Sequence, residues 1–364
     1  MHLIRKKGTP IFFIFVGLIL TTFLSAEAPE KPRGMERLRK QIDNAVRGIE
    51  GEFGIAVKHI ESGEELAVNG DTYFPMASVF KVPIFVEVLA QVKEGQFALE
   101  DEVSIQKTDQ HLGSGMLSDL TAPGIKLTIR NLINFMMLIS DNSATDLLLN
   151  KVGASSVTNR LRTYGLEKIT VDRTCHHLIM DAIGMDYEKY KDLPLDEVTE
   201  AFRKDRADNP EAFEQASRSF SKIIKDQSSP EAMNRLLVLI YKEEILDGES
   251  CDLIIEVMLR CQTGQRRIKG DLPSDVKVAH KTGTIGGTVN DAGIIELPDN
   301  LGHVALTVFT KDTEEETREV EDVIAQIARF VYDYFTFTSD SKATQSFSTV
   351  SRWIAVRKAS PGLL

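Results

Sequence analysis

Residues 74–84 place Ser78 and Lys81 three positions apart inside an otherwise apolar run. Positions i and i+3 of a helix share one face. The Lys81 amine is therefore expected to reach the Ser78 hydroxyl while Val79, Phe80, Val82, Ile84 and Phe85 anchor the helix in a core. A lysine in such surroundings is hard to keep charged. Desolvation lowers its pKa, and a neutral amine beside a hydroxyl turns a weak nucleophile into a usable one. Taken alone, the spacing also fits a helix start with Ser78 near the N-cap and a lysine that snorkels to solvent.

Two further motifs follow in order, Ser140-Asp141-Asn142 in the middle third and Lys281-Thr282-Gly283-Thr284 in the last quarter. Each by itself has a plain structural reading, a helix N-cap for the first and an edge strand ending in glycine for the second. The set S-x-x-K, S-D-N, K-T-G in this order is a serine-hydrolase signature. Over residues 35–335 the chain resembles the class A β-lactamase family and its relatives in the penicillin-binding superfamily. The resemblance implies that Ser78 is the nucleophile, Lys81 the base for acylation, and Ser140 the relay that protonates the leaving nitrogen. It implies that Asn142 holds a substrate amide and touches Lys81, with Asp141 buried and structural. Lys281 and Thr282 would receive a substrate carboxylate, supported by Arg267 rather than its neighbour Arg266. Gly283 would let the substrate backbone approach, the amides of Ser78 and Thr284 would form an oxyanion hole, and Gly113-Ser114-Gly115 would line the opposite wall of the cleft.

The N-terminus carries Arg5, Lys6 and Lys7, an apolar stretch over 11–24, then the small residues Ser25, Ala26 and Ala28. This is a signal-peptide pattern, with a stretch short for a membrane span, so the mature chain is expected to be exported, periplasmic or secreted, without stable membrane insertion. Cleavage after Ala28 removes three cations and Glu27, taking the formal charge from -11 to about -13. That acidity argues against nucleic acid or anionic lipid as a partner. The expected partner is a small molecule, a β-lactam or a peptidoglycan-like peptide, bound by a monomer that needs no metal or organic cofactor. Three cysteines, Cys175, Cys251 and Cys261, offer no disulfide framework. Buried free thiols are the simpler expectation, with a Cys251–Cys261 bridge as the other.

Alternating apolar residues over 53–60 and 66–69, joined by a Ser62-Gly63 turn, predict a hairpin. Strand patterns over 276–284, 290–297 and 304–311 are its natural partners. Helical periodicity marks 35–49, 127–138, 143–150, 155–164, 230–242, 252–259 and 315–334. The expected fold is α/β: an antiparallel sheet formed from both chain ends, flanked by helices, with an inserted all-helical lobe. Residues 336–364, rich in serine and threonine, read as a flexible tail.

The departure from the family pattern comes after Arg173. Where the family carries a glutamate and an asparagine that hold the deacylating water, this chain has Cys175 and Ile179. A thiol is a poor base for water unless its pKa is lowered, and isoleucine holds no water. Arg173 retains a salt-bridge partner in Asp226, so the ends of the family's Ω loop are present. Between them, 181–225 forms a charged helical insertion broken at Pro194 and Pro210, expected as a flap or small subdomain at the cleft edge. Cys175-His176-His177 reads as a loop rather than a metal cluster, and His280 as pointing away from Lys281. Acylation is thus supported on all sides. Deacylation has three readings: another carboxylate such as Asp181, a peptidase route using Lys81 and Ser140 alone, or a persistent adduct in a non-turnover β-lactam-binding protein.

Overall fold

Strand β9 (His303–Lys311) shows how the layers arise from the sequence. Side chains alternate across a strand, so Val304, Leu306 and Val308 pack into one core with Met35, Leu38 and Ile42 of α1 (Arg33–Val46) and Val320, Ile324 and Val331 of α12 (Thr317–Thr338). Ala305 and Phe309 face a second core beneath the helical lobe. The strand is covered on both faces, which explains its nearly unbroken burial. Truncating Leu38 or Ile42, both fully buried, would cost about 2–5 kcal/mol by the usual penalty for emptying a core site.

The computed structural model describes residues 33–338; the signal-peptide region 1–28 with its apolar stretch, and residues 339–364, lie outside the described residues. The hairpin β1 (Glu52–His59) and β2 (Glu65–Val68) joins β7 (Val278–Ile285), β8 (Thr288–Glu296) and β9 in a five-stranded sheet of order β2-β1-β9-β8-β7. All pairs are antiparallel, with registers such as Ile55 opposite Val308 and Lys281 opposite Ala292. The sheet built from both chain ends is present as the sequence predicts. Two short ribbons, β3 (Phe74–Pro75) with β6 (Gln227–Ser228) and β4 (Glu102–Ile105) with β5 (Ile125–Thr128), tie the lobe together.

At the centre of the lobe runs α2 (Lys81–Lys93), buried from Lys81 through Gln91. A helix apolar on all sides must be surrounded. Around it stand α3 (Ile129–Leu138), α4 (Asn142–Val152), α5 (Ala154–Thr163), α10 (Pro230–Tyr241) and α11 (Gly248–Leu259). The segment 175–219 carries α6 (Cys175–Ile183), α7 (Tyr187–Tyr190), α8 (Leu195–Asp208) and α9 (Pro210–Ser219). Pro194 sits at the N-cap of α8 and Pro210 opens α9, positions a proline tolerates because no intrahelical N–H is needed there.

Three expectations change. Leu127 and Thr128 belong to β5, and the helix expected from 127 begins at Ile129, where the Thr128 side chain accepts a hydrogen bond from the Asn131 N–H at 3.2 Å. The loop expected at Cys175-His176-His177 is the first turn of α6. The Thr174 hydroxyl accepts from the His177 N–H, and the buried Asp146 carboxylate accepts from the N–H groups of Cys175 and His176, satisfying donors that a helix start leaves open. Of the tail expected over 336–364, residues 336–338 belong to α12, and the rest lies outside the described residues.

Candidate active site

Ser78 lies in a 3₁₀ turn, Ala77–Phe80, that runs directly into α2 at Lys81. The turn is entered through Ala77 at φ +46°, and Ser140 across the cleft stands at φ +62°. Left-handed backbone at a residue with a side chain costs on the order of 1–3 kcal/mol and collects at functional sites. Here both strained residues flank the same cavity, about 420 Å³ in volume, whose walls include Ser78, Ser140, Asn142, Cys175, Arg267 and Thr284.

Lys81, fully buried, donates to the Ser140 carbonyl at 2.7 Å, to Ser140 Oγ at 3.1 Å and to Asn142 Oδ1 at 2.9 Å. Among the described residues no hydrogen bond joins it to Ser78 Oγ, the contact the helical spacing led one to expect. The Lys81 amine turns instead across the cleft, its donors taken by Ser140 and Asn142 at the start of α4. Burial lowers the Lys81 pKa, while Cys175, Asp146 and Asp141 nearby pull the other way.

From the far side Lys281, also fully buried, donates to Ser140 Oγ at 3.0 Å and to the Thr282 carbonyl at 2.9 Å. Burial lowers it to about 7, with Lys81 adding to the effect. The Ser140 hydroxyl is thus held between two lysine side chains. Its loop is fixed by Asp141, which caps α4 through the Ala144 N–H at 2.8 Å and accepts from Met116 and Leu117 at 2.7 and 2.8 Å. The N-cap expected within Ser140-Asp141-Asn142 falls on Asp141, while the Ser140 and Asn142 side chains meet Lys81. Ser114 closes the opposite wall, its hydroxyl donating to the Ser140 carbonyl at 2.7 Å.

A Cβ placed on Gly283 would meet the Met76 carbonyl at 2.7 Å and the Ser78 nitrogen at 2.8 Å. Only glycine lets β7 pass this close to the Ser78 amide. Arg267, 5 % exposed, donates to Thr284 Oγ1 at 2.6 Å and to the carbonyls of Gly283 and Asn290 at 3.0 and 2.7 Å, and pairs with Glu321 at 3.0 Å. Arg266, by contrast, is exposed and pairs with Asp322. His280 turns from the cleft to Asp291 at 2.9 Å; burial opposes its charge, but Asp291 outweighs that and lifts it to about 9.

Arg173 and Asp226 meet as an almost fully buried pair, Nε to Oδ2 at 2.5 Å, and Arg173 also binds Asp181. Cys175 and Ile179 both line the cavity, with Leu178 and Ile183. Burial pushes the Cys175 thiol far up. No aspartate or glutamate is among the described residues lining this cavity, nor do the described residues contain a His, Cys, Asp and Glu grouping able to hold a metal. Sequence reading missed two supports: Asp146, which clamps the start of α6, and Thr263, whose hydroxyl lies 2.6 Å from that of Thr282. Both depend on contacts between distant elements, so no local pattern announces them.

A family model described as the Beta-lactamase enzyme family matches residues 37–335. The chain belongs to this family. It is similar to Beta-lactamase VEB-1 of Pseudomonas aeruginosa, 27% identical with 82% of this chain and 91% of the relative aligned. Extended-spectrum beta-lactamase PER-1 of the same organism is also 27% identical, over 87% of this chain and 92% of the relative. Among solved structures, TLA-1 extended spectrum beta-lactamase superposes with a TM-score of 0.68 at 25% identity, covering 84% of this chain and 100% of that one. A beta-lactamase from Chitinophaga pinensis DSM 2588 gives 0.67 at 28% identity over 82% and 98%. The resemblance to class A β-lactamases read from the three motifs is borne out, and with it the α/β fold. No helix among the described residues is long and apolar enough to cross a membrane.

Proposed function

We propose that this chain is an exported serine hydrolase of the β-lactamase type, acylated at Ser78 by β-lactams, whose acyl-enzyme is long-lived. The observation that carries this reading is the composition of the cleft: two lysines converge on the Ser140 hydroxyl in the cavity that Ser78 lines, and no carboxylate is among the described residues lining it. Ser78 Oγ attacks the lactam carbonyl and gives its proton to neutral Lys81. The oxyanion is held by the amides of Ser78 and Thr284. The C–N bond then breaks as Ser140 protonates the nitrogen and recovers a proton from Lys81 or Lys281. Lys281, Thr282 and Arg267 hold the carboxylate of the substrate, directly or through Thr284, while Asn142 binds its side-chain amide.

Hydrolysis of the ester requires a base for water. Cys175 remains a thiol under its burial. Asp181 is engaged by Arg173, and Asp146 by His111 and the start of α6. A second reading, a peptidase acting on a peptidoglycan-like peptide with a terminal carboxylate, is supported by the same lack of a carboxylate. Intact-mass spectrometry after mixing with a penicillin and a chromogenic cephalosporin tests the proposal. A drug-sized adduct is expected that requires Ser78, is absent in Ser78→Ala, and persists for hours. Absence of an adduct would overturn the β-lactam reading, and clearance within seconds would overturn the slow ester.

A further inference from the structure

A cavity larger than the cleft lies elsewhere in the described residues. It is a groove of about 1040 Å³ at the other end of the sheet, bounded by the β8–β9 turn, the ends of α10 and α12, and the start of β7. It shares no residue with the catalytic cavity. Its floor is apolar, formed by Tyr241, Val276, Leu297, Leu301 and Tyr332. Five carboxylates stand around it, Glu61, Glu243, Asp275, Glu296 and Asp299, against two lysines, Lys242 and Lys277. Lys277 is already paired with Glu296 at 2.6 Å, and Glu61 is fixed by the His303 ring at 2.8 Å. The rim therefore carries an excess of negative charge over an aromatic and aliphatic floor.

What fits such a groove is an apolar segment flanked by cations. The chain itself holds one. Residues 351–358 read Ser-Arg-Trp-Ile-Ala-Val-Arg-Lys, with three cations, no acid, and the chain's single tryptophan at Trp353. The described structure ends beside the groove: Tyr332 of α12 lines it, and Phe335 stacks on His59, another lining residue, at 5.1 Å between ring centres. From Thr338 to Ser351 an extended chain spans roughly 40 Å, more than enough to turn back from the end of α12 into the groove. We infer that residues 351–358 dock in this groove of their own chain, with Trp353 on the apolar floor and Arg352, Arg357 and Lys358 against the carboxylate rim.

The single tryptophan makes the test direct. In the full mature chain its emission should be blue-shifted and several-fold protected from acrylamide quenching. Raising salt from 0.1 to 1 M should weaken this protection, because it shortens the screening length from about 10 to about 3 Å. Arg357→Glu with Lys358→Glu should abolish the protection, as should Glu243→Asn with Asp275→Lys; combining the two sets should restore it in part, as coupled charges do in a double-mutant cycle. Far-UV circular dichroism and the extent of Ser78 labelling report that each variant is folded, and the tail variants alter no described residue. Emission like that of free tryptophan in the unmodified chain would overturn the inference. So would protection insensitive to both charge sets, or protection that grows with protein concentration alongside a sedimenting dimer, which would place the segment in the groove of a second copy.

Discussion

Cys175 lines the same cavity as Ser78 and Asn142, which makes it the position from which a base could serve the ester. Replacing its thiol by a carboxylate supplies the missing general base, a contribution typically about 10²–10⁴-fold in rate. Cys175→Glu is accordingly expected to shorten the lifetime of the Ser78 adduct by about 10²-fold or more, read as the decay of the adduct mass. The lysines set the pH dependence of acylation. Lys81 must lose a proton to act as base, so the acylation rate rises with pH on the acid side. Lys281, lowered to about 7 by burial, must keep its proton to hold a carboxylate, so the rate falls as pH rises through that value. A penicillin should show both limbs in stopped-flow acylation, whereas its methyl ester, lacking the carboxylate, should show only the rise. Lys281→Arg should move the falling limb far upward, since a guanidinium keeps its charge. These residues were legible from three short strings because their chemistry demands particular side chains at particular spacings. The turn of Lys81 to Ser140 and Asn142 was not, because those partners stand 59 and 61 positions away along the chain and meet it only through tertiary packing.

Helix α6 joins the cleft to the insertion, and its hold is unusual. His176, 4 % exposed, stacks on His111 at 4.3 Å and meets Tyr187 edge-on at 5.7 Å, and neither of its ring nitrogens has a hydrogen-bond partner among the described residues. Burial, with His111 and His177 adding to it and Asp146 opposing, lowers its pKa to about 4. The unfolded chain then takes up a proton near 6.5 that the folded chain refuses until about 4. Stability from this group is full above 6.5 and declines as pH falls between those values. Urea midpoints measured from pH 7 to 4 should fall more steeply for the unmodified protein than for His176→Phe, which has no proton to take up. The insertion's helices were readable from periodicity and from Pro194 and Pro210. The helical start of α6 was not, since two adjacent histidines after a cysteine carry little helical signal and its N–H groups are satisfied by Asp146, a residue of another helix.

For the molecule as a whole, the three cysteines are free and buried, so the fold stands on its two cores rather than on cross-links. Thermal unfolding with and without a thiol reductant should give the same midpoint; a fall of several degrees on reduction would reveal a bridge. The sheet, by contrast, is stitched from opposite ends of the sequence. Its strand β1 lies between β2 and β9, and Ile55 pairs with Val308. During synthesis β1 therefore waits, with one edge open, until nearly all of the domain has followed it, a situation that invites wrong pairing and slows folding. Ser78 and Lys281 face the same wait, because β7 is made late. No early fragment of this chain can hold both walls of the cleft, so on the proposed chemistry covalent labelling of Ser78 would serve as a clock for completed folding.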